Sequence, residues 1–148
     1  MRLAPNEIYG GVLAAGWTIA EAAIMTAVIL AESGGDTEAM GRNTADGAYK
    51  GSRDLGLCQI NNKAHAVALA EGNWRNPVFN LSVGYRVFVN AGRVFTPWSV
   101  FKSGAYLDFL PDATIAIDNP WKLPSGPALA AQVTGVKSKV TQIRSHFV

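Results

Sequence analysis

The stretch Thr18-Ile-Ala-Glu21-Ala-Ala-Ile-Met-Thr-Ala-Val-Ile-Leu-Ala-Glu32-Ser33-Gly34-Gly35 decides how this chain folds. Thr18 and Glu21 stand three apart, the spacing at which a threonine hydroxyl and a glutamate carboxylate each satisfy one of the free N–H groups that open a helix. Gly34-Gly35 supplies backbone that enters the left-handed region without a Cβ penalty, and so closes the helix. Between these marks the residues are apolar almost all the way round. The pattern predicts a helix over residues 18–33 lying in the middle of a core.

Other elements arrange themselves outward from it. Pro5 suits the first turn of an opening helix through Ala15, with Gly16 as its stop. Residues 36–57 break into Gly, Asn, Asp, Ser and Thr, with Asp46-Gly47 and Gly51-Ser52 as turn signals, and read as a polar wing of loops or a small hairpin. Helical periodicity returns over residues 62–71, with Gly72 as stop, and again from Asn76-Pro77 through Ala91 before Gly92. A shorter helical pair brackets Thr96-Pro97 and ends before Pro111. Prolines at 111, 120, 124 and 127 make residues 111–127 a connector. Beyond it Leu129, Val133, Val136, Val140, Ile143 and Phe147 form one stripe, an amphipathic terminal helix over residues 128–147 that either packs on the domain or meets a partner. The expected fold class is α+β, mainly α, with a small β or loop wing, in one domain spanning residues 1–148.

Composition agrees with a single closed core: of 148 residues, 49% are hydrophobic and 16% charged, which excludes a disordered chain. The net charge of +2 is a mild basic bias that favours anionic polymers. Lysines and arginines are scattered singly, with no aromatic-interleaved basic stripe, so nucleic acid is not an expected partner. The longest apolar run, residues 19–31, is interrupted by Glu21 and too short to insert in a membrane. Residues 1–16 carry no basic segment followed by an uninterrupted apolar one, and so do not read as a signal peptide. Cys58 is the single cysteine, so no internal disulfide staples the fold. It has no histidine near it in sequence and reads as a small buried thiol. His65 and His146 are isolated, and no spacing suggests a metal site or a cofactor. Trp74 and Trp98 serve either as sugar-stacking platforms or as core anchors with one polar edge.

Chemistry concentrates at Glu32, at the carboxyl end of the predicted core helix. Desolvation by the apolar helix and the partial negative charge of a helix C-terminus both favour its neutral form. A carboxyl group that stays protonated near neutral pH can protonate a glycosidic oxygen. The plain alternative is a surface glutamate in a last helical turn. Asp54, in Ser52-Arg-Asp54-Leu-Gly56-Leu-Cys-Gln59-Ile-Asn61, closes the polar wing. Return from the wing brings a second carboxylate across a cleft from Glu32, as glycoside cleavage commonly requires; otherwise Asp54 caps a turn.

The segments Glu32-Ser33-Gly-Gly-Asp-Thr-Glu-Ala, Arg42-Asn43-Thr44, Asp46-Gly47 and Ser52 to Asn61 together resemble the lysozyme superfamily. They are similar both to chicken-type lysozymes and to soluble lytic transglycosylases, over about residues 18–106. The alanine-rich helix ending in Ala-Glu-Ser-Gly-Gly looks like that of phage wall-degrading domains. This resemblance implies a lysozyme-like fold and cleavage of peptidoglycan glycan strands at the β-1,4 bond between N-acetylmuramic acid and N-acetylglucosamine. It places Glu32 on the family's acid and Asp54 on the second carboxylate of the chicken-type enzymes. Ser33, Gln59, Asn61 and Tyr106 fall on substrate-binding positions, Tyr106 through Trp98-Ser-Val-Phe-Lys-Ser-Gly-Ala-Tyr106. Phe101-Lys102 replaces the transglycosylase tyrosine-asparagine pair, and Cys58 replaces a bulky residue before the glutamine. Water aided by Asp54 gives hydrolysis; the muramyl 6-hydroxyl gives a 1,6-anhydro product. The competing expectation is a non-catalytic module that binds glycan or a virion or helper protein through its terminal helix. Either way the site of action is the bacterial wall, with delivery by a phage virion or after holin-type release.

Overall fold

The computed structural model of the chain describes residues 1–118. Helix α1, Pro5–Ala15, and helix α2, Ile19–Ser33, come first, and the chain then enters the wing: strands β1, Met40–Arg42, β2, Arg53–Leu55, and β3, Ile60–Asn61. A single turn α3, Ala66–Leu69, leads to α4, Pro77–Asn90, and the short α5, Ser99–Lys102. A 3-10 turn over Ala105–Phe109 runs into α6, Leu110–Asp118. The fold is mainly α with a small antiparallel sheet of order β1-β2-β3.

α2 takes the central place that its apolar circumference requires. Ala22, Met25, Thr26, Ala27, Val28, Ile29 and Leu30 are all buried, and α1, α5, the 3-10 turn and α6 pack around them. Burying Met25, Val28, Ile29 and Leu30 contributes about 1.5–3 kcal/mol each. Its ends follow the sequence. The Thr18 N–H donates to Glu21 Oε1 at 2.8 Å and the Glu21 N–H to Thr18 Oγ1 at 3.3 Å, while Gly34 closes the helix at φ 63° with its N–H on the Leu30 carbonyl.

A file of aromatic rings runs along one side of α2's surroundings. Trp17 meets Phe88, Phe88 meets Phe95, Phe95 meets Phe101, and Tyr106 stacks on Phe101 at 4.9 Å between ring centres. At the end of α4, Arg93 takes a left-handed backbone at φ 60°. Its guanidinium donates to both Glu21 carboxylate oxygens, at 3.1 and 2.6 Å, and to the Tyr85 hydroxyl at 3.0 Å. That fork clamps the end of α4 to the start of α2.

Four expectations change. Residues 110–118 are helical, not connector, because Pro111 lies in the first turn of α6, where its missing N–H removes no intrahelical bond. The helix expected over residues 62–71 shrinks to α3. The Asn61 side chain accepts from the N–H groups of Lys63 and Ala64 and holds those residues in a turn instead. The wing also runs past Leu57, since Ile60 and Asn61 pair with Leu55 and Asp54 as a third strand. Of the short helical pair expected on either side of Thr96-Pro97, only the part after it forms, as α5 and the 3-10 turn, while residues 93–97 are non-helical. The rest of the expected connector and the terminal stripe over 128–147 lie outside the described residues. Among the described residues no helix is long and apolar enough to cross a membrane.

Candidate active site

Between the wing and the helical body lies a cleft of about 150 Å³, open on one side. Glu32 reaches it from the last turn of α2 and Asp54 from β2. Gln59, Ile60, Asn61 and His65 line it from the wing side, with Val87 of α4 and the Pro97-Trp98-Ser99 corner opposite.

Glu32 is largely enclosed, and its carboxyl is pushed up to about 7. Burial is the largest cause; the negative charge of Asp54 acts in the same direction, and a hydrogen bond from the Val100 backbone N–H opposes both. Desolvation was expected from the sequence. Asp54's contribution follows only once the wing folds back.

Asp54 caps no turn. It lies in β2 with Gly41 and Asn61 as its cross-strand partners, and each of its carboxylate oxygens receives one amide donor. Asn61 Nδ2 donates to Oδ1 at 2.9 Å and Asn43 Nδ2 to Oδ2 at 3.2 Å. Both amides also bond to Ser52 Oγ, at 2.9 and 3.2 Å. The carboxylate is thus fixed in place by a network of two strands.

Gln59 and Asn61 sit beside these carboxyl groups, but their amides are largely committed. Gln59 Nε2 donates to the carbonyls of Ala39 and Gly56, at 3.1 and 3.0 Å, so its free capacity is the Oε1 acceptor. Asn61 spends both donors on Asp54 and Ser52, and its oxygen accepts from Lys63 and Ala64. It orients Asp54 and the turn after β3. A Cβ at Gly41 would come within 2.8 Å of Gln59 Oε1, so any side chain there displaces the Gln59 amide.

Two other sequence candidates do not face the cleft. Ser33 Oγ donates to the Ile29 carbonyl and accepts from the Gly35 N–H, which finishes the turn after α2. Tyr106 stacks on Phe101 at the end of the aromatic file. Of its two readings, Trp98 takes that of a core anchor with one polar edge. It is buried at 4% exposure, with its indole Nε1 donating to the Cys58 carbonyl at 2.9 Å, and one edge forms cleft wall.

Sequence reading gave no site role to Asn43, His65 or Asn80. Asn80 is fully buried in α4 and holds the cleft floor from below. Its Oδ1 accepts from the Cys58 N–H at 2.8 Å, and its Nδ2 donates to the carbonyls of Leu55 and Trp74, at 3.0 and 3.1 Å. An asparagine on the apolar face of a helix was its one available signal. His65 offered none, since its place depends on the turn after β3. Cys58 is buried, as expected, and burial together with the neighbouring Glu32 pushes its thiol up. Among the described residues no cluster of His, Cys, Asp and Glu is arranged to hold a metal.

A carboxyl group about half protonated near pH 7, a second carboxylate pinned by amides, and an open trough beside both can donate a proton and stabilise positive charge on one bound molecule. The family model described as a lysozyme-like domain matches residues 10–100, which include α2, the wing, α4 and the Pro97–Ser99 corner. The chain belongs to this lysozyme-like family. Neither the curated proteins nor the solved structures gave a match.

Proposed function

We propose that the chain cleaves peptidoglycan glycan strands at the β-1,4 bond between N-acetylmuramic acid and N-acetylglucosamine, with Glu32 as general acid. The observation that carries this reading is a buried carboxyl raised to about 7 beside an aspartate in an open cleft. Near neutral pH a large fraction of Glu32 holds its proton and delivers it to the leaving glycosidic oxygen. Asp54, held by Asn43 and Asn61, stabilises the oxocarbenium-like centre, either by attacking it or by activating water.

The presence of Asp54 in the cleft favours hydrolysis over internal capture by the muramyl 6-hydroxyl, because a transglycosylase needs only the acid. Asn61 acts by positioning Asp54, and Gln59 offers one acceptor to a sugar hydroxyl or N-acetyl N–H. Zymography on peptidoglycan tests the acid: wild type clears, and Glu32→Gln loses clearing by about 10²–10⁴-fold. Clearing that survives the substitution removes Glu32 from the mechanism. Mass spectrometry of the released muropeptides tests the nucleophile, since a reducing end is heavier than an anhydro end by one water.

A further inference from the structure

Six arginines fall among the described residues, and four have an oxygen partner. Arg2 donates to the Gly34 carbonyl, Arg75 pairs with Glu38, Arg86 with Glu71 and Arg93 with Glu21. Arg42 and Arg53 do not. No acidic group among the described residues pairs with either, and the Arg53 guanidinium donates to the Met40 sulfur, at 3.0 Å. Yet these two are direct cross-strand neighbours, Arg42 opposite Arg53 in the β1–β2 pair. Like charges placed opposite each other on a sheet cost stability, and a guanidinium cannot shed its proton to relieve that cost. Two unneutralised, adjoining forks are suited to a carboxylate.

Their position adds to this. Each stands one residue along its strand from the Gly41–Asp54 pair, of which Asp54 lines the cleft, and so leaves the sheet on the face opposite the Asp54 side chain. β1 is an edge strand. The bonds of Asn43 to Ser52 and Gly51, and of the Ala39 carbonyl to Gly56, turn the odd-numbered backbone groups towards β2. The N–H and C=O groups of Met40 and Arg42 are thereby left on the free edge. That edge meets an extended peptide as it meets a strand.

We propose that the Arg42–Arg53 pair and the free edge of β1 bind the carboxylate-bearing stem peptide of the glycan strand lying in the cleft. This rests on the peptidoglycan reading above. A stem of about four residues spans ~14 Å when extended. Arg42 and Arg53 then hold a stem carboxylate, while Met40 and Arg42 backbone groups bond to the stem's amides.

The test uses the full chain carrying Glu32→Gln, so that binding is read without cleavage, and sedimentation with insoluble peptidoglycan freed of phosphate polymers. Converting the stem carboxylates to amides with carbodiimide and ammonia is expected to lower retention about tenfold. Adding Arg42→Gln and Arg53→Gln is expected to lower retention on untreated peptidoglycan equally and to abolish the effect of amidation. An unchanged or raised Tm in that variant separates lost binding from lost folding. Retention that ignores amidation overturns the proposal. So does an arginine variant that binds like its parent, or an arginine dependence seen only when wall phosphate polymers are present. Absence of clearing by the unsubstituted chain on the same material overturns the cleavage reading alone, and the sedimentation result still decides this one.

Discussion

At the scale of single residues, Glu32 and Asp54 form one electrostatic unit, and pH separates their contributions. The Glu32 carboxyl sits at about 7 in the folded chain against an ordinary value of 4.5. With Glu32 as the proposed acid, cleavage should fall about tenfold per pH unit above 7. Stability moves with it. Below about 4.5 the group is neutral in folded and unfolded chains alike and no penalty exists; its contribution is lost as pH rises through about 7, where the buried carboxyl must ionise. Glu32→Gln, which cannot ionise, should therefore raise Tm by a few degrees at pH 8 and have little effect at pH 4. A Tm that drops equally at both values would show that the carboxyl stabilises the fold through contacts rather than resisting ionisation. Asp54→Asn keeps the size of the side chain and removes the charge that helps hold the Glu32 proton. Its alkaline limb should move to lower pH, measured as the pH profile of residual turbidity clearing; an unmoved limb would mean the two carboxyls do not sense each other.

At the scale of elements, the sequence was legible where a local signal decides the outcome. The capping box at Thr18 and Glu21, the Gly34 stop and the Asn76-Pro77 start fix helix ends through backbone groups within a few residues. β3 was illegible because Ile60 and Asn61 become a strand only by pairing with β2. Pro111 misled because a proline that ends one helix interior equally suits the first turn of the next. Glu32, Asp54, Gln59 and Asn61 were readable as a group by resemblance. The support beneath them was not, since Asn80 joins residues far apart in sequence: Leu55, Cys58 and Trp74. Asn80→Ala leaves the Cys58 N–H without its partner inside the core and should cost ~2–4 kcal/mol in urea unfolding. Thr18→Ala, which removes one exposed cap bond, should cost about 1 kcal/mol. Should Asn80→Ala prove as mild as Thr18→Ala, the floor of the cleft does not depend on that amide.

At the scale of the whole molecule, the hydrophobic core and the cleft are one construction, and Cys58 stands where they join. Its side chain is fully buried and would meet any Cβ placed on Gly84 of α4 at 2.8 Å. Its N–H is held by Asn80 and its carbonyl by Trp98, which is itself cleft wall. Two residues further on, Ile60 lines the cleft. A floor built this way has no hinge of its own, so it opens only when the core does. Because Cys58 is the one thiol in 148 residues, alkylation reads that opening without ambiguity. Iodoacetamide needs both access and thiolate, and burial beside Glu32 disfavours the thiolate further. Labelling of the native chain should therefore be at least ~10³-fold slower than that of the unfolded chain. Its free energy of opening should fall with urea along the same slope as global unfolding. Labelling that is fast and independent of urea below the transition would reveal a local opening at the base of the cleft, and with it a wing able to move apart from the helical body.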